Sequence, residues 1–274
     1  MAPSTANPNH GRLALVTGAS SGIGAAFARA LAARGYDLAL VARRLDRLED
    51  LGESLKAAHG VDAFPIQADL AAFEAQEGVL AAIAARGRPV EVLVNCAGFS
   101  IPQSFAAVPW ARQRDFLMTL VVSACGFAHG VLPGMVERRR GRIINVASLA
   151  GFAPGVAGHS LYPGAKSLAI KFSQALDAEY RAQGVLVTAV CPGFTRTEFA
   201  DANGTAEVMA KSPRRLFQTA EQVVDATLRA NDRGQVVVIP GWHNLVAATL
   251  LQHLPQSLVR AILMRASGKY HLEA

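Results

Sequence analysis

Short runs of apolar residues alternate along this chain with longer stretches whose apolar residues recur every three or four positions. Runs of the first kind indicate buried β-strands, and stretches of the second kind indicate helices. The predicted strands are residues 13–17, 38–42, 63–67, 90–95, 142–147, 186–190 and 236–239. The predicted helices are residues 25–33, 45–58, 79–85, 115–138, 161–181 and 223–230.

Continuously apolar strands separated by helices are typical of a parallel sheet that is covered on both faces. We therefore predict a single doubly wound α/β domain over residues 12–240, preceded by a disordered terminus at residues 1–11. Hydrophobic residues make up 51% of the chain and charged residues 18%. These values suit a globular chain and exclude a disordered one.

Residues 241–274 form an apolar extension that is predicted to be helical, with a break at Pro255. Its apolar positions include Leu245, Val246, Leu250, Leu251, Leu254, Leu258, Val259, Ile262 and Leu263. Gln252 and Arg260 interrupt them, so the segment is poorly suited to span a bilayer. We expect it to pack on the same domain or to join subunits, and the alternatives are cover of a substrate pocket or contact with a membrane surface.

The formal net charge is +6, and part of it comes from the arginines of residues 138–142. We interpret this run as the solvated end of a helix, and we expect no nucleic-acid site because no aromatic residues interleave with the arginines. Cys96, Cys125 and Cys191 lie far apart, and no histidine, cysteine or carboxylate cluster has metal-ligand spacing. We predict no disulfide, no catalytic metal and, given the polar first residues, a reducing cytoplasmic location.

Glycines follow the first predicted strand, where the first helix begins. They permit a tight turn in which backbone N–H groups and the helix N-terminus face a pyrophosphate. Their spacing differs from Gly-x-Gly-x-x-Gly, so a search for that fingerprint would miss them. The predicted contacts of this loop with a dinucleotide cofactor are Gly18, Ser20, Ser21, Gly22, Ile23 and Gly24.

The tip of the second strand distinguishes the two nicotinamide cofactors. An acidic residue there binds the ribose hydroxyls of NAD, whereas an arginine suits the 2′-phosphate of NADP. This chain carries Arg43 and Arg44 at the tip, and no acid. Since guanidinium groups bind phosphate through paired hydrogen bonds, we predict NADP(H), with Arg43 as the better phosphate ligand. The other interpretation is that both arginines merely begin an exposed helix.

Tyr162 and Lys166 are four residues apart and share one face of a predicted helix. An ammonium beside a phenol favours the phenolate and lowers the pKa of the phenol. We therefore expect Tyr162 to give and take a proton near neutral pH. Ser148, shortly before it, supplies a hydroxyl that can hydrogen-bond a developing oxyanion. Each of these residues alone would be unremarkable, and their joint occurrence behind the glycine loop predicts a catalytic site.

These motifs together resemble those of the short-chain dehydrogenase/reductase family. The matching segments are residues 17–24, Asp69-Leu70, Asn95-Cys96-Ala97-Gly98, Ser148, Tyr162 with Lys166, and Pro192-Gly193, within a region from 12 to 239. The resemblance implies a Rossmann-like fold, NADPH near Tyr162, and a homodimer or homotetramer. It also implies that Asp69 and Leu70 lie near the adenine. The further cofactor contacts that it implies are Asn95, Ala97, Gly98, Tyr162, Lys166, Pro192, Gly193, Phe194 and Thr195.

The residue types and the resemblance imply interconversion of a ketone or aldehyde with an alcohol. Tyr162 would donate a proton to the carbonyl oxygen, Ser148 would hold that oxygen, and Lys166 would also bind the nicotinamide ribose. We expect residues 194–217 to form a lid over the site. We also expect a bulky apolar substrate. The aromatic residues behind that expectation are Phe99, Phe152 and Phe194.

Leu120 departs from the family pattern, in which many members carry an asparagine that holds a proton-relay water. Leucine cannot hold that water. Either Thr119 or Ser123 takes the place of the asparagine, or the register of this helix is shifted by one residue, or the proton relay differs. Two functions of different classes therefore remain open, beside a weaker third option, a membrane-associated reductase that modifies lipids. The first is an NADP(H)-dependent carbonyl reductase or alcohol dehydrogenase, and the second is a cofactor-binding redox sensor or scaffold with weak catalysis.

Overall fold

The computed structural model describes residues 9–199 and 214–267. Three groups of predictions lie outside the described residues. They concern residues 1–8, the central part of the predicted lid at 200–213, and residues 268–274. All seven predicted strands form, and each of their ends lies within one residue of its predicted position. The strands are β1 Leu13–Thr17, β2 Asp37–Ala42, β3 Ala63–Gln67, β4 Val90–Asn95, β5 Gly141–Val146, β6 Val185–Val190, β7 Thr195–Arg196, β8 Gln218–Thr219 and β9 Val237–Val238.

Seven of these strands form one sheet in the order β3-β2-β1-β4-β5-β6-β9. Every neighbouring pair in it is parallel. The strand order reverses between β1 and β4, and the carboxyl ends of those strands border the crevice where such sheets bind ligands. The short strands β7 and β8 pair separately, which the sequence pattern did not predict.

Helices cover both faces of the sheet. They are α1 Gly22–Ala33, α2 Leu45–His59, α3 Ala75–Ala84, α4 Trp110–Leu117, α5 Ser123–Glu137, α6 Tyr162–Tyr180, α7 Ala220–Asp232, α8 Trp242–His253 and α9 Gln256–Ser267. A π-helical turn, Met118–Val122, joins α4 to α5. The predicted helix 115–138 is thus longer at its start than expected, and it contains an irregularity that periodicity did not reveal.

Alternate side chains of β1 enter different cores, as expected of a strand buried on both faces. Ala14 and Val16 pack with residues of α1, α2 and α7, such as Phe27. Leu13 and Leu15 pack on the other face with residues of α3, α5 and α6. The fold is therefore the predicted doubly wound, Rossmann-like α/β architecture.

Within the described residues, one helical stretch, Trp110–Glu137, is long and apolar enough to cross a membrane. Length and composition alone support that possibility. Phe127, Val131 and Met135 of this stretch are buried against the sheet. Packing against the sheet therefore accounts for part of its apolar character.

The C-terminal helices α8 and α9 have a buried side and an apolar exposed side. On the buried side, Asn244 Nδ2 donates hydrogen bonds to the Pro240 carbonyl at 2.7 Å and to Gln218 Oε1 at 2.9 Å. Ala248 and Val259 are also buried. The exposed apolar residues are Trp242, Leu245, Val246, Leu250, Leu258, Ile262 and Met264. Only one side of this apolar extension therefore packs against the rest of the described structure, and its other apolar side chains are exposed.

Candidate active site

The glycine loop joins β1 to α1 at the crevice. Gly18 has a φ of +68°, a conformation that favours glycine, and a Cβ there would lie 2.9 Å from the Cα of Ala97. A Cβ on Gly24 would lie 2.2 Å from the Gly18 carbonyl oxygen. The side chain of Ser21 makes no capping hydrogen bond at the N-terminus of α1. Glycines thus keep the space above this helix end clear, and the site fits the pyrophosphate of a dinucleotide.

Thr17, the last residue of β1, fixes the segment that follows β4. Its Oγ1 accepts hydrogen bonds from the backbone N–H groups of Cys96 at 3.0 Å and Ala97 at 3.1 Å. The same hydroxyl donates to the Val94 carbonyl at 3.3 Å. This hydroxyl therefore ties the loop carrying Ala97 and Gly98 to the glycine loop. A polar residue that ends an otherwise apolar strand is the sequence signal for such a role.

Asn95, the last residue of β4, is buried and is held by side-chain hydrogen bonds. Its Nδ2 donates to the Ala124 carbonyl at 3.1 Å and to Asn145 Oδ1 at 2.9 Å. Asn145 in turn donates to Ser173 Oγ at 2.9 Å, within α6. Asn95 thus joins the end of β4 to β5 and α5, and its predicted contact with the cofactor stays a prediction.

The two arginines after β2 differ in their contacts. Arg44 donates to Ser20 Oγ through Nε at 3.3 Å and through Nη2 at 3.1 Å. Its Nη1 donates to Glu198 Oε2 at 3.2 Å, and Arg47 Nη1 donates to both Glu198 oxygens at 2.8 and 2.7 Å. Arg43 is exposed, and its backbone carbonyl accepts from Gln67. Sequence reasoning missed Arg47 and Glu198, since no local pattern relates positions so far apart in the chain.

The other predicted cofactor contacts follow the carboxyl ends of β3 and β6. Asp69 Oδ1 accepts from the Ala71 N–H at 3.1 Å, and Leu70 is buried. The Pro192 carbonyl accepts from the Leu149 N–H at 3.1 Å, which ties the segment after β6 to the segment after β5. Thr195 Oγ1 donates to the Gly193 carbonyl at 3.1 Å. Phe194 stacks on Phe217, with ring centroids 5.5 Å apart.

Ser148 begins the 3₁₀ turn Leu149–Phe152 that follows β5. Its Oγ accepts a hydrogen bond from the Ala150 N–H at 3.1 Å, and this contact fixes the hydroxyl. The turn packs closely on α6, where a Cβ on Gly151 would lie 2.9 Å from the carbonyl carbon of Lys166. This packing brings Ser148 within hydrogen-bond reach of the Tyr162 phenol.

Tyr162 is the first residue of α6 and lies among aromatic side chains. Its ring centroid is 6.4 Å from that of Phe116, 6.3 Å from that of His159 and 6.5 Å from that of Phe199. Phe99 packs edge-on against Phe116 at 5.6 Å. The predicted proton donor therefore faces a largely apolar and aromatic surface.

The electrostatics of Tyr162 differ from the sequence prediction. Burial raises the pKa of Tyr162 to about 12, and a hydrogen bond from the Ser148 hydroxyl partly offsets this effect. Lys166 Nζ lies 5.6 Å from the centre of the Tyr162 ring and donates to the Val146 carbonyl at 2.8 Å. The shift of the Tyr162 pKa is therefore opposite in direction to the prediction, because burial has the largest influence on the phenol and Lys166 is not among the groups that shift it.

Lys166 is itself strongly influenced by its surroundings. Burial lowers the pKa of Lys166 to about 8. The ammonium is thus close to its titration point near neutral pH. Burial raises the pKa of each of the thiols of Cys96 and Cys191 to about 12, so both remain protonated.

The departure at Leu120 has a clear structural setting. Leu120 is buried in the π-helical turn, and a Cβ on Gly98 would lie 3.2 Å from its Cγ. Ser123, one candidate replacement, donates its hydroxyl to the Thr119 carbonyl at 2.8 Å. Both Thr119 and Ser123 line a small cavity that reaches Lys166 and has room for about one water molecule. The leucine therefore packs as part of the core beside the site.

Taken together, the parallel sheet, the glycine cradle and the serine, tyrosine and lysine triad define a dinucleotide-dependent oxidoreductase. The family profile described as short chain dehydrogenase matches residues 12–208. The chain therefore belongs to the short-chain dehydrogenase/reductase family, as its motifs predicted.

Relatives of nearly the same length support this conclusion. An uncharacterized oxidoreductase of Myxococcus xanthus is 34% identical over 254 residues, which cover 93% of this chain and 97% of the relative. A short-chain dehydrogenase from Sphingobium yanoikuyae, solved in complex with NADPH, is 32% identical with a TM-score of 0.78, and the match covers 96% of this chain and 98% of that one.

Another similar structure is a bulky-bulky ketone specific alcohol dehydrogenase from Comamonas testosteroni. It is 29% identical with a TM-score of 0.74, and the match covers 90% of this chain and 96% of the other.

Proposed function

We propose that this protein is an NADP(H)-dependent oxidoreductase that interconverts a bulky apolar ketone or aldehyde and the corresponding alcohol. The observation that carries the proposal is the placement of Ser148 and the Tyr162 phenol in hydrogen-bond reach, beside the lysine of the next helical turn. The cofactor supplies or accepts hydride when bound. The remaining chemistry is proton transfer and stabilisation of charge on oxygen.

The roles follow from the contacts. The high pKa of Tyr162, about 12, keeps its proton in place at neutral pH, so in reduction the phenol is a donor to the substrate oxygen. The Ser148 hydroxyl, held by the Ala150 N–H, hydrogen-bonds the same oxygen as negative charge develops. Lys166, with donors left after its contact to Val146, would hold the nicotinamide ribose. In oxidation, the same groups act in reverse.

The choice of NADP(H) rests on charge at the adenosine end. Arg43 and Arg44 follow β2 in positions where an acidic residue would favour NAD. The NADPH complex of the Sphingobium yanoikuyae relative supports this choice. The substrate class rests on the aromatic surface around Tyr162, and the bulky-bulky ketone specificity of the Comamonas testosteroni relative supports it.

A panel of ketones tests the proposal. The panel should run from acetone-sized to diaryl ketones, with turnover followed by absorbance of the reduced cofactor, and with NADPH and NADH assayed in parallel. We expect turnover of the large apolar ketones with NADPH. Preference for small hydrophilic ketones would contradict the substrate class, and preference for NADH would contradict the cofactor assignment.

The buried Leu120 favours the second candidate function, a redox sensor or scaffold that binds cofactor with weak catalysis. Under that alternative, tight NADPH binding would occur without turnover of any ketone or alcohol in the panel. Leu120→Asn should then increase the rate if the apolar side chain limits proton transfer to Lys166.

A further inference from the structure

An ion-paired carboxylate lies beside the arginines that follow β2. This is the end of the crevice where the cofactor assignment places the adenosine, and it is called the adenosine end below. Glu198 follows β7 and is contacted by two guanidinium groups, those of Arg44 and Arg47. Arg44 also contacts Ser20 in the glycine loop. Thr197 packs against that loop, since a Cβ on Gly22 would lie 3.1 Å from the Thr197 Cβ. Three segments distant in sequence therefore meet here, with Arg44 linking the glycine loop to Glu198.

The groups around this carboxylate also suit a phosphate. Guanidinium groups bind carboxylates and phosphates through the same paired N–H donors, and a serine hydroxyl adds a further donor. Glu198 carries one negative charge, and the hydrogen bonds from Arg47 and Arg44 hold the pKa of Glu198 below its usual range, so that charge persists into acidic solution. The side chains of Glu198, Arg44 and Arg47 are 51%, 43% and 42% exposed. Pairs this exposed exchange partners at little cost.

We propose that Glu198 occupies an anion receptor formed by Ser20, Arg44 and Arg47, and that the 2′-phosphate of NADP(H) displaces it. This inference rests on the cofactor assignment in the proposed function. A phosphate monoester carries nearly two negative charges at neutral pH and therefore competes well with a single carboxylate. Arg43, whose side chain makes no hydrogen bond to the described residues, is available for the first contact with the phosphate.

The proposal gives Glu198 a direct effect on cofactor choice. While it holds Arg44, the phosphate must break an existing ion pair, so Glu198 weakens NADPH binding and leaves NADH binding unaffected. The test is Glu198→Gln, with Kd measured by calorimetry for NADPH, NADH, 2′,5′-ADP and 5′-AMP. Glu137→Gln removes the same charge at an exposed position at the opposite end of the sheet and is the matched control.

We expect Glu198→Gln to tighten NADPH and 2′,5′-ADP binding roughly two- to fivefold at low salt, with NADH, 5′-AMP and the Glu137→Gln control unchanged. The gain should shrink as salt screens the arginines. Weaker or unchanged NADPH binding, or equal tightening of NADPH and NADH, would overturn the role of Glu198. Preference of the unmodified protein for NADH would instead overturn the cofactor assignment on which the inference rests.

Discussion

The two ends of the crevice hold their polar groups in different ways. At the catalytic end, Tyr162 and Lys166 are partly enclosed, and burial moves the pKa values of both away from their usual ranges. At the adenosine end, Arg44, Arg47 and Glu198 are about half exposed and paired with one another. Burial therefore dominates the electrostatics at one end, and exposed ion pairs dominate them at the other.

This difference predicts how each end responds to change. Removing one atom from a buried hydrogen-bonded site should cause a large loss of activity, because the remaining polar groups have few alternative partners. Exposed charges respond gradually, and salt reduces their effect. Substitutions at the two ends should therefore differ in size as well as in the property they change.

The largest effect is expected for Tyr162→Phe, which removes the proton donor and retains the ring. Turnover should fall by about 10²–10⁴-fold while NADPH binding is preserved. The matched control is Tyr180→Phe at the other end of α6, which should leave turnover unchanged. Initial rates and cofactor Kd values measure both. Turnover within a few-fold of the unmodified protein would remove Tyr162 from the proposed chemistry.

Gly24→Ala tests the close packing of the phosphate loop. The new Cβ would meet the Gly18 carbonyl oxygen at 2.2 Å, so we expect loss of cofactor binding and a free energy of unfolding lower by about 1–3 kcal/mol. Gly78→Ala is the control, because a Cβ there has no atom within 4 Å and lies on a helix. Urea unfolding should show Gly78→Ala equal to or up to about 1 kcal/mol more stable than the unmodified protein.

The pH dependence of reduction tests the enclosure of Lys166. Because burial lowers the pKa of Lys166 to about 8, kcat/KM should fall about tenfold per pH unit above that value as the ammonium is lost. The unfolded chain binds more protons than the folded chain between pH 8 and the usual pKa of lysine. This group therefore contributes increasing stability with rising pH in that window, and unfolding would not explain the loss. A flat kcat/KM profile to pH 10 would contradict the shifted pKa.

A smaller effect is expected for Arg43→Gln at the adenosine end. NADPH should bind about fivefold more weakly, and NADH equally well, since only NADPH carries the 2′-phosphate. Arg29→Gln removes the same charge from an exposed position on α1 and serves as control. Fluorescence titration at two salt concentrations measures both. Equal weakening of NADH would show that Arg43 contacts the cofactor elsewhere.

The strands and the catalytic motif were predictable because each is encoded locally. Apolar runs bounded by glycine and polar residues gave the ends of β1 and β4 correctly, and the spacing of Tyr162 and Lys166 placed both on α6. The π-helical turn at Met118–Val122 was not predictable, since one additional residue in a helical turn leaves no mark in a periodic pattern.

Contacts between distant segments account for most of what the sequence did not predict. Glu198 and Arg44 are separated by 154 positions, and only the folded chain brings them together. The pKa of Tyr162 also depends on how deeply neighbouring elements enclose it, which the spacing of Lys166 does not encode. The roles of Ser148, Tyr162, Lys166 and the cofactor contacts remain predictions that the experiments above address.

The bond between the amides of Asn95 and Asn145 has a consequence for strand alignment. These residues are directly opposite each other on β4 and β5, whose other side chains are mostly apolar. Neighbouring apolar strands could slide past one another with little change in buried surface, because both faces are covered. A slip by one position would set an amide against a valine or isoleucine deep inside the protein, at a cost of about 1–3 kcal/mol. This amide pair therefore fixes the register of β4 against β5. It also fixes the relative positions of the two strand ends that border the crevice.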